Sequence, residues 1–274
     1  MSTRRTENAI LTAKRSPQIA IMHKIIKYVQ GPFRRAVLDI QMNRVRKEST
    51  NEEAKTVQTK VTEIFINELK QVLQEREMDM PILSSAENIP AEDGCFLVNA
   101  GGSLVNLGAG RDDVCLALAY AEDGVVQSAV IYFPVTDKLY IAEKGQGVEG
   151  PDLKLRVAGS DSLENMVVSF FSPVSSTENE DEVLEMFTKL RKMGAHIRIS
   201  GNTLADALDF AAGQTNAYIG YNLSALDVMI AELIIRESGG YTCEVDGSKV
   251  ELGSKSIIAA GAKLQGKLLK KLTA

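Results

Sequence analysis

The stretch Phe96-Leu-Val-Asn-Ala-Gly-Gly-Ser-Leu-Val-Asn-Leu-Gly-Ala-Gly110 decides how this chain is read, because an apolar run passes directly into a loop carrying four glycines. A short apolar run bounded by turn residues reads as a buried strand, here residues 95–98. Glycines at its end allow a sharp turn or a close backbone approach to a ligand. Two helical patterns precede this stretch, and strands and helices follow it.

On the N-terminal side, Ser16-Pro17 reads as a helix cap with proline at the first helical position, and Ile19, Met22, Ile25, Ile26, Val29, Phe33 and Val37 follow at helical spacing. Gly31-Pro32 is expected to kink or break that helix. A charged stretch, 47–55, leads to a second helix with an apolar stripe at Val61, Phe65, Leu69 and Val72. Pro81-Ile-Leu is expected to form a short strand.

On the C-terminal side, apolar runs at 114–120, 125–133 and 139–142 are separated by Glu122-Asp-Gly124 and Pro134-Val-Thr-Asp137, which predicts an antiparallel meander. Gly145-Gln-Gly147 closes it, and 153–157 is expected to be a further short strand. Strands at 166–171, 196–199, 217–219, 241–245 and 256–260 then alternate with helices at 182–193, 203–212 and 226–238 and a terminal helix. The expected organisation is a basic arm at 1–15, a helical pair with an antiparallel sheet at 16–157 and an alternating lobe at 158–274, together one compact unit. This order predicts a layered α+β or α/β sandwich.

Composition narrows the function classes. No apolar run reaches the roughly 20 residues that span a bilayer, and no secretory core is present, so a soluble cytoplasmic protein with no membrane partner is expected. Cys95, Cys115 and Cys243 are odd in number and widely spaced, which suits buried thiols better than disulfides or a metal knuckle. With only His23 and His196, histidine chemistry has little room. Charge is uneven: over residues 1–47 eleven Lys or Arg face Glu7 and Asp39, a net of +9, which leaves −14 for the rest of a chain of net −5. Such a split points to a basic helix that docks on an acidic body, on a second copy, or on an external polyanion.

Asn99-Ala-Gly-Gly-Ser-Leu104, Ile131-Tyr-Phe-Pro134, Lys138-Leu-Tyr-Ile-Ala-Glu-Lys-Gly-Gln-Gly147, Arg198-Ile-Ser-Gly-Asn-Thr-Leu-Ala205, Leu226-Asp227 and Glu237-Ser-Gly-Gly240 resemble the inositol monophosphatase family, especially its bacterial suppressor-type members. The resemblance runs from about Pro17 onward. It implies an αβαβα sandwich of the inositol monophosphatase and fructose-bisphosphatase type and a homodimer. For active members it implies a phosphomonoesterase in which several Mg²⁺ ions activate a water and polarise the phosphate.

Mg²⁺ requires a near-octahedral set of oxygen ligands with carboxylates among them. The family pattern provides Asp-Pro-x-Asp-Gly-Thr, a Glu-Glu pair and Trp-Asp. Here the first Asp falls on Asn99, the second on Gly102, the Thr on Leu104 and the pair near Ser84-Ser85. A further Asp falls at about Thr59 and a substrate-contacting Glu at about Gly220. Asp227 is the only retained candidate ligand, and as a residue at a helix start it also reads as a cap. Glu87 is a second candidate, reached by a slip of register. Ser103 has no neighbouring base to make it a nucleophile.

The resulting expectation is a pocket remnant of Asn99, Gly101, Gly102, Ser103, Gly201, Asn202, Thr203 and Asp227, with no catalytic residue assigned and no cofactor. The glycine-rich turns retain some capacity to hold an anion. The function expected is a pseudophosphatase with a binding, regulatory or assembly role. The alternatives are a Mg²⁺-dependent phosphomonoesterase on inositol or sugar phosphates, and an RNA or transcription-complex partner that binds through the basic N-terminal helix.

Overall fold

The computed structural model describes residues 15–46, 51–85, 89, 94–100, 106–107, 109–173 and 180–272. They form two compact units, Met1–Lys144 with Glu149–Lys154, and Gly145–Val148 with Leu155–Ala274.

In the first unit, α1 (Pro17–Arg46) and α2 (Asn51–Glu75) carry the expected apolar stripes. Ile19, Met22, Ile25, Ile26, Val29, Phe33 and Val37 from α1 and Val61, Phe65, Leu69 and Val72 from α2 are buried in one core. α1 runs unbroken through Pro32, contrary to the break expected there. Gly31 and Pro32 both face solvent, so water can satisfy the carbonyl that loses its partner, while Val29 and Phe33 on the other face stay packed. The second helix begins at Asn51, within the charged stretch read as a connection.

The helices pack against a sheet of β1 (Ile82–Leu83), β2 (Cys95–Ala100), β3 (Leu116–Glu122), β4 (Val125–Phe133) and β5 (Lys138–Glu143), in that order. β1 is parallel to β2, and the rest form the expected antiparallel meander. Asp137, in the β4–β5 turn with φ of 55°, ties the turn to α1. Its Oδ1 accepts from Gln30 Nε2 at 2.8 Å and from the Tyr132 hydroxyl at 2.9 Å, and Arg34 lies 3.2 Å from Oδ2. The start of α1 is fixed by Arg15, which meets Glu143 at 3.2 Å and Glu149 at 2.6 Å.

After β6 (Gly147–Glu149), the second unit holds β7 (Val167–Phe171), α3 (Glu180–Lys192), β8 (His196–Arg198), α4 (Thr203–Ala211), β9 (Ala217–Gly220), α5 (Ala225–Glu237), β10 (Gly240–Cys243), β11 (Ile257–Gly261) and α6 (Ala262–Leu272). Its sheet is mixed, in the order β10-β11-β9-β7-β8, with β7, β8 and β9 parallel. Val168, Phe170, Ile219, Ile258 and Ala260 face α3 and α6 in one core. Strand alternation turns Ser169, Tyr218 and Gly220 to the opposite face.

No strand forms at 153–157, where one was expected. The backbone bonds of that segment go to different places: Gly150 N–H to Leu153, Leu155 N–H to Val148 and Val157 N–H to Ser238. With partners scattered in this way no ladder repeats, and a single bridge, Glu149–Lys154, remains. The Gly-Gln-Gly closure is held by Glu237, whose carboxylate accepts from Gly145 N at 2.8 Å and Gly147 N at 2.9 Å. Both glycines have positive φ, 76° and 87°, which a side chain would strain.

Candidate functional site

In the first unit, Asn99 lies near the end of β2, half-buried and opposite Ala117. Because β1 runs parallel to β2 with Leu83 opposite Leu97, the exposed Ser84 and Ser85 lie at the same end of the sheet as Asn99. They bring hydroxyls and no charge. Thr59 is exposed on α2. Gly101, Gly102, Ser103, Leu104 and Glu87 lie outside the described residues.

In the second unit, Gly201, Asn202 and Thr203 form the entry to α4. Gly201 takes φ of 81°, and Asn202 is the N-cap. Asn202 Oδ1 accepts from Leu204 N at 3.0 Å and Ala205 N at 3.1 Å. The helix start read as an anion cradle thus spends two of its free N–H groups on its own cap. Ser200 Oγ receives the Asn202 N–H at 3.0 Å and keeps the turn closed. Asn202 and Thr203 are both buried.

Asp227 is not the cap of α5. That role belongs to Ser224, whose hydroxyl accepts from Asp227 N at 3.4 Å. Asp227 occupies the third helical position, where a carboxylate suits the positive end of the helix dipole. Ser224-x-x-Asp227 has the spacing of a capping box, a signal that was present in the sequence.

Tyr218 and Asp206 complete the group, and neither was anticipated. Tyr218 is wholly buried on β9 and Asp206 is 1% exposed on α4. Burial pushes the Tyr218 phenol well above its ordinary pKa, and the charges of Asp206 and Asp227 push it the same way. The phenol therefore stays protonated, and its buried hydroxyl makes no hydrogen bond among the described residues. A Cβ placed on Gly220 would sit 2.5 Å from Leu223 Cδ1 and 2.9 Å from the Tyr218 hydroxyl. The space of a side chain at position 220 is occupied by these two residues.

The Mg²⁺ ions that the resemblance implies would need anionic oxygens from these positions. Asn99 offers a neutral amide, Gly220 offers no side chain, and Ser84 and Ser85 offer hydroxyls. Among the described residues no group of three or more His, Cys, Asp or Glu side chains is placed to hold a metal ion. This donor set does not fit a Mg²⁺ site of the family kind, which needs several anionic oxygens against the ion's hydration.

The fold and this constellation define a layered α+β protein with a phosphatase-like frame. Residues 106–274 match the sequence profile of the inositol monophosphatase family. The chain belongs to that family. It is 27% identical over 167 residues to the Nus factor SuhB of Pasteurella multocida, 61% of this chain and 62% of that protein. It is 30% identical over 155 residues to an inositol-1-monophosphatase of Mesorhizobium japonicum, 57% of this chain and 58% of that one. Each match thus spans less than two thirds of the relative's own length. The crystal structure of the extragenic suppressor protein suhB from Bartonella henselae superposes with a TM-score of 0.77 at 22% identity, covering 94% of this chain and all of that one.

Proposed function

We propose that this chain is a family member without metal-dependent phosphomonoester hydrolysis, acting through binding or assembly. The observation that carries the reading is position 220. The substrate-contacting carboxylate of the family pattern is replaced there by glycine, and Tyr218 and Leu223 fill the space it would need. Asn99 in place of a carboxylate and the self-capped entry to α4 support it further. Among the described residues no carboxylate cluster is placed to anchor Mg²⁺, and the Leu204 and Ala205 N–H groups are already bonded to Asn202.

The Nus factor name carried by some relatives supports a binding role, and the inositol-1-monophosphatase name carried by others supports the enzymatic alternative. Assembly is expected to begin with a second copy of the chain, as the family resemblance implies. A reducing, cytoplasmic setting suits Cys95, Cys115 and Cys243, which are buried thiols outside any disulfide.

The test is titration calorimetry with Mg²⁺, alone and with inositol monophosphate, beside phosphate release from a panel of phosphomonoesters. The expected result is a flat titration and no release above a metal-free blank. Metal binding with turnover that Asp227→Asn abolishes would overturn the reading and assign a Mg²⁺-dependent phosphomonoesterase.

A further inference from the structure

We propose that the outer face of α6, together with the end of α3 and Tyr241, binds the backbone of a single-stranded nucleic acid. This deepens the binding role proposed above and rests on it. α6 has the sequence Ala-Lys-Leu-Gln-Gly-Lys-Leu-Leu-Lys-Lys-Leu and no acidic residue. Leu264, Leu268 and Leu272 are buried on its inner side, and Lys263, Lys267, Lys270 and Lys271 are exposed on the outer one. Four residues of helix rise about 6 Å. The lysines therefore recur on the scale of a nucleotide step in an extended strand, as a groove tracking a phosphate backbone requires.

The row continues onto α3. Lys189 Nζ donates to the Leu272 carbonyl at 2.7 Å, which brings the Lys189, Arg191 and Lys192 turn against the end of α6. Lys189 also meets Glu185 at 3.2 Å. Lys267 donates to the Asp161 carbonyl at 2.7 Å, a bond that leaves its charge unneutralised. No ion pair among the described residues engages the four lysines of α6.

An aromatic ring stands beside this row. Tyr241 pairs with Ala260 across β10 and β11, so its side chain emerges on the face that α3 and α6 cover. It is 56% exposed. Two residues along, Cys243 Sγ meets Gln265 Nε2 of α6 at 3.3 Å, so α6 passes beside this strand. A ring next to a lysine row offers one base a stacking platform.

The chemistry favours a nucleic acid over the other polyanions. A membrane-binding helix needs apolar residues on its outer face, and the buried leucines of α6 point inward. Protein interfaces are depleted in lysine and anchored by buried aromatics, whereas a row of ammonium groups neutralises phosphates. The basic N-terminal helix is the weaker candidate. On α1, Arg34 is paired with Asp137 at 3.2 Å and Lys24 faces Glu75 at 4.0 Å, so part of its charge is matched by its own unit.

The experiment is fluorescence anisotropy of the full chain with labelled 12-nucleotide oligo(U) and oligo(dT) from 20 to 300 mM KCl. Binding is expected at low salt, with a log–log salt slope of roughly −3 if four phosphates are neutralised. Changing Lys263, Lys267, Lys270 and Lys271 together to Glu should cost about tenfold or more in affinity at 50 mM KCl. Tyr241→Ala should cost about fivefold at every salt concentration, and Arg35→Glu on α1 should leave binding within about threefold. Equal affinity for both probes assigns a phosphate and base contact, and tighter oligo(U) binding adds the 2′-hydroxyl; either result supports the proposal.

Wild-type affinity in the quadruple variant, with circular dichroism and melting unchanged, would overturn it. So would no binding at 20 mM KCl, or binding of polyglutamate in place of both oligonucleotides, which would assign an acidic protein. Phosphate release measured on the same preparations bears only on the catalytic reading, so the two can fail separately.

Discussion

At Gly220 a missing side chain has been overwritten by its neighbours. A Cβ there would press on Leu223 Cδ1 and on the Tyr218 hydroxyl, the ends of two buried side chains. Adding volume to a packed interior forces side chains off their rotamers and costs about 1–3 kcal/mol. Gly220→Glu is therefore expected to destabilise the chain by at least that amount in urea unfolding without restoring phosphate release. Gly220→Glu combined with Leu223→Ala should recover part of the loss. A single Gly220→Glu variant as stable as the wild type would show that Tyr218 and Leu223 swing aside and that the position is open. The glycine itself was legible in the sequence, because the family resemblance implies a carboxylate at about this position. The plug was not, since Tyr218 reads as an ordinary strand aromatic until its face of β9 is known.

Among the elements, those with strong periodicity were legible and those set by long-range partners were not. The stripe from Ile19 to Val37 and the turns at Asp123-Gly124 and Asp137 specified α1 and the meander, because burial and positive φ leave local marks. The unbroken course of α1 through Pro32 depends on which way the proline faces, and the lost strand at 153–157 depends on partners far along the chain. Neither is written locally. The entry to α4 was legible in part: Asn202 marks a helix start in sequence, but only geometry shows its Oδ1 taking two N–H groups. Asn202→Ala should cost about 1 kcal/mol through loss of the cap, read as a lower urea midpoint at unchanged slope. An unchanged midpoint would mean that the helix start is satisfied without Asn202.

Across the whole molecule the seven tyrosines and the absence of tryptophan make alkaline titration a direct probe of packing in both units. Tyr120 and Tyr132 in the first unit and Tyr218 and Tyr221 in the second all have phenols pushed up, in each case first by burial and then by nearby carboxylates. Tyr221 is pushed up to about 12 by burial with Glu182 and Glu185 nearby. In the unfolded chain each phenol titrates near its ordinary value of about 10. Above that pH the unfolded state holds fewer protons than the folded one, so unfolding becomes easier as pH rises. The stability these phenols contribute is complete below about pH 10 and falls as pH climbs toward the folded values. Urea midpoints should therefore fall between about pH 10 and 12, and tyrosinate absorbance should show these four phenols titrating together with unfolding. Tyr218→Phe should make the alkaline decline shallower by up to one proton. Titration of these four phenols near pH 10 with the fold intact would mean that they are solvated, and with them the packing around Tyr218 on which the reading of position 220 depends.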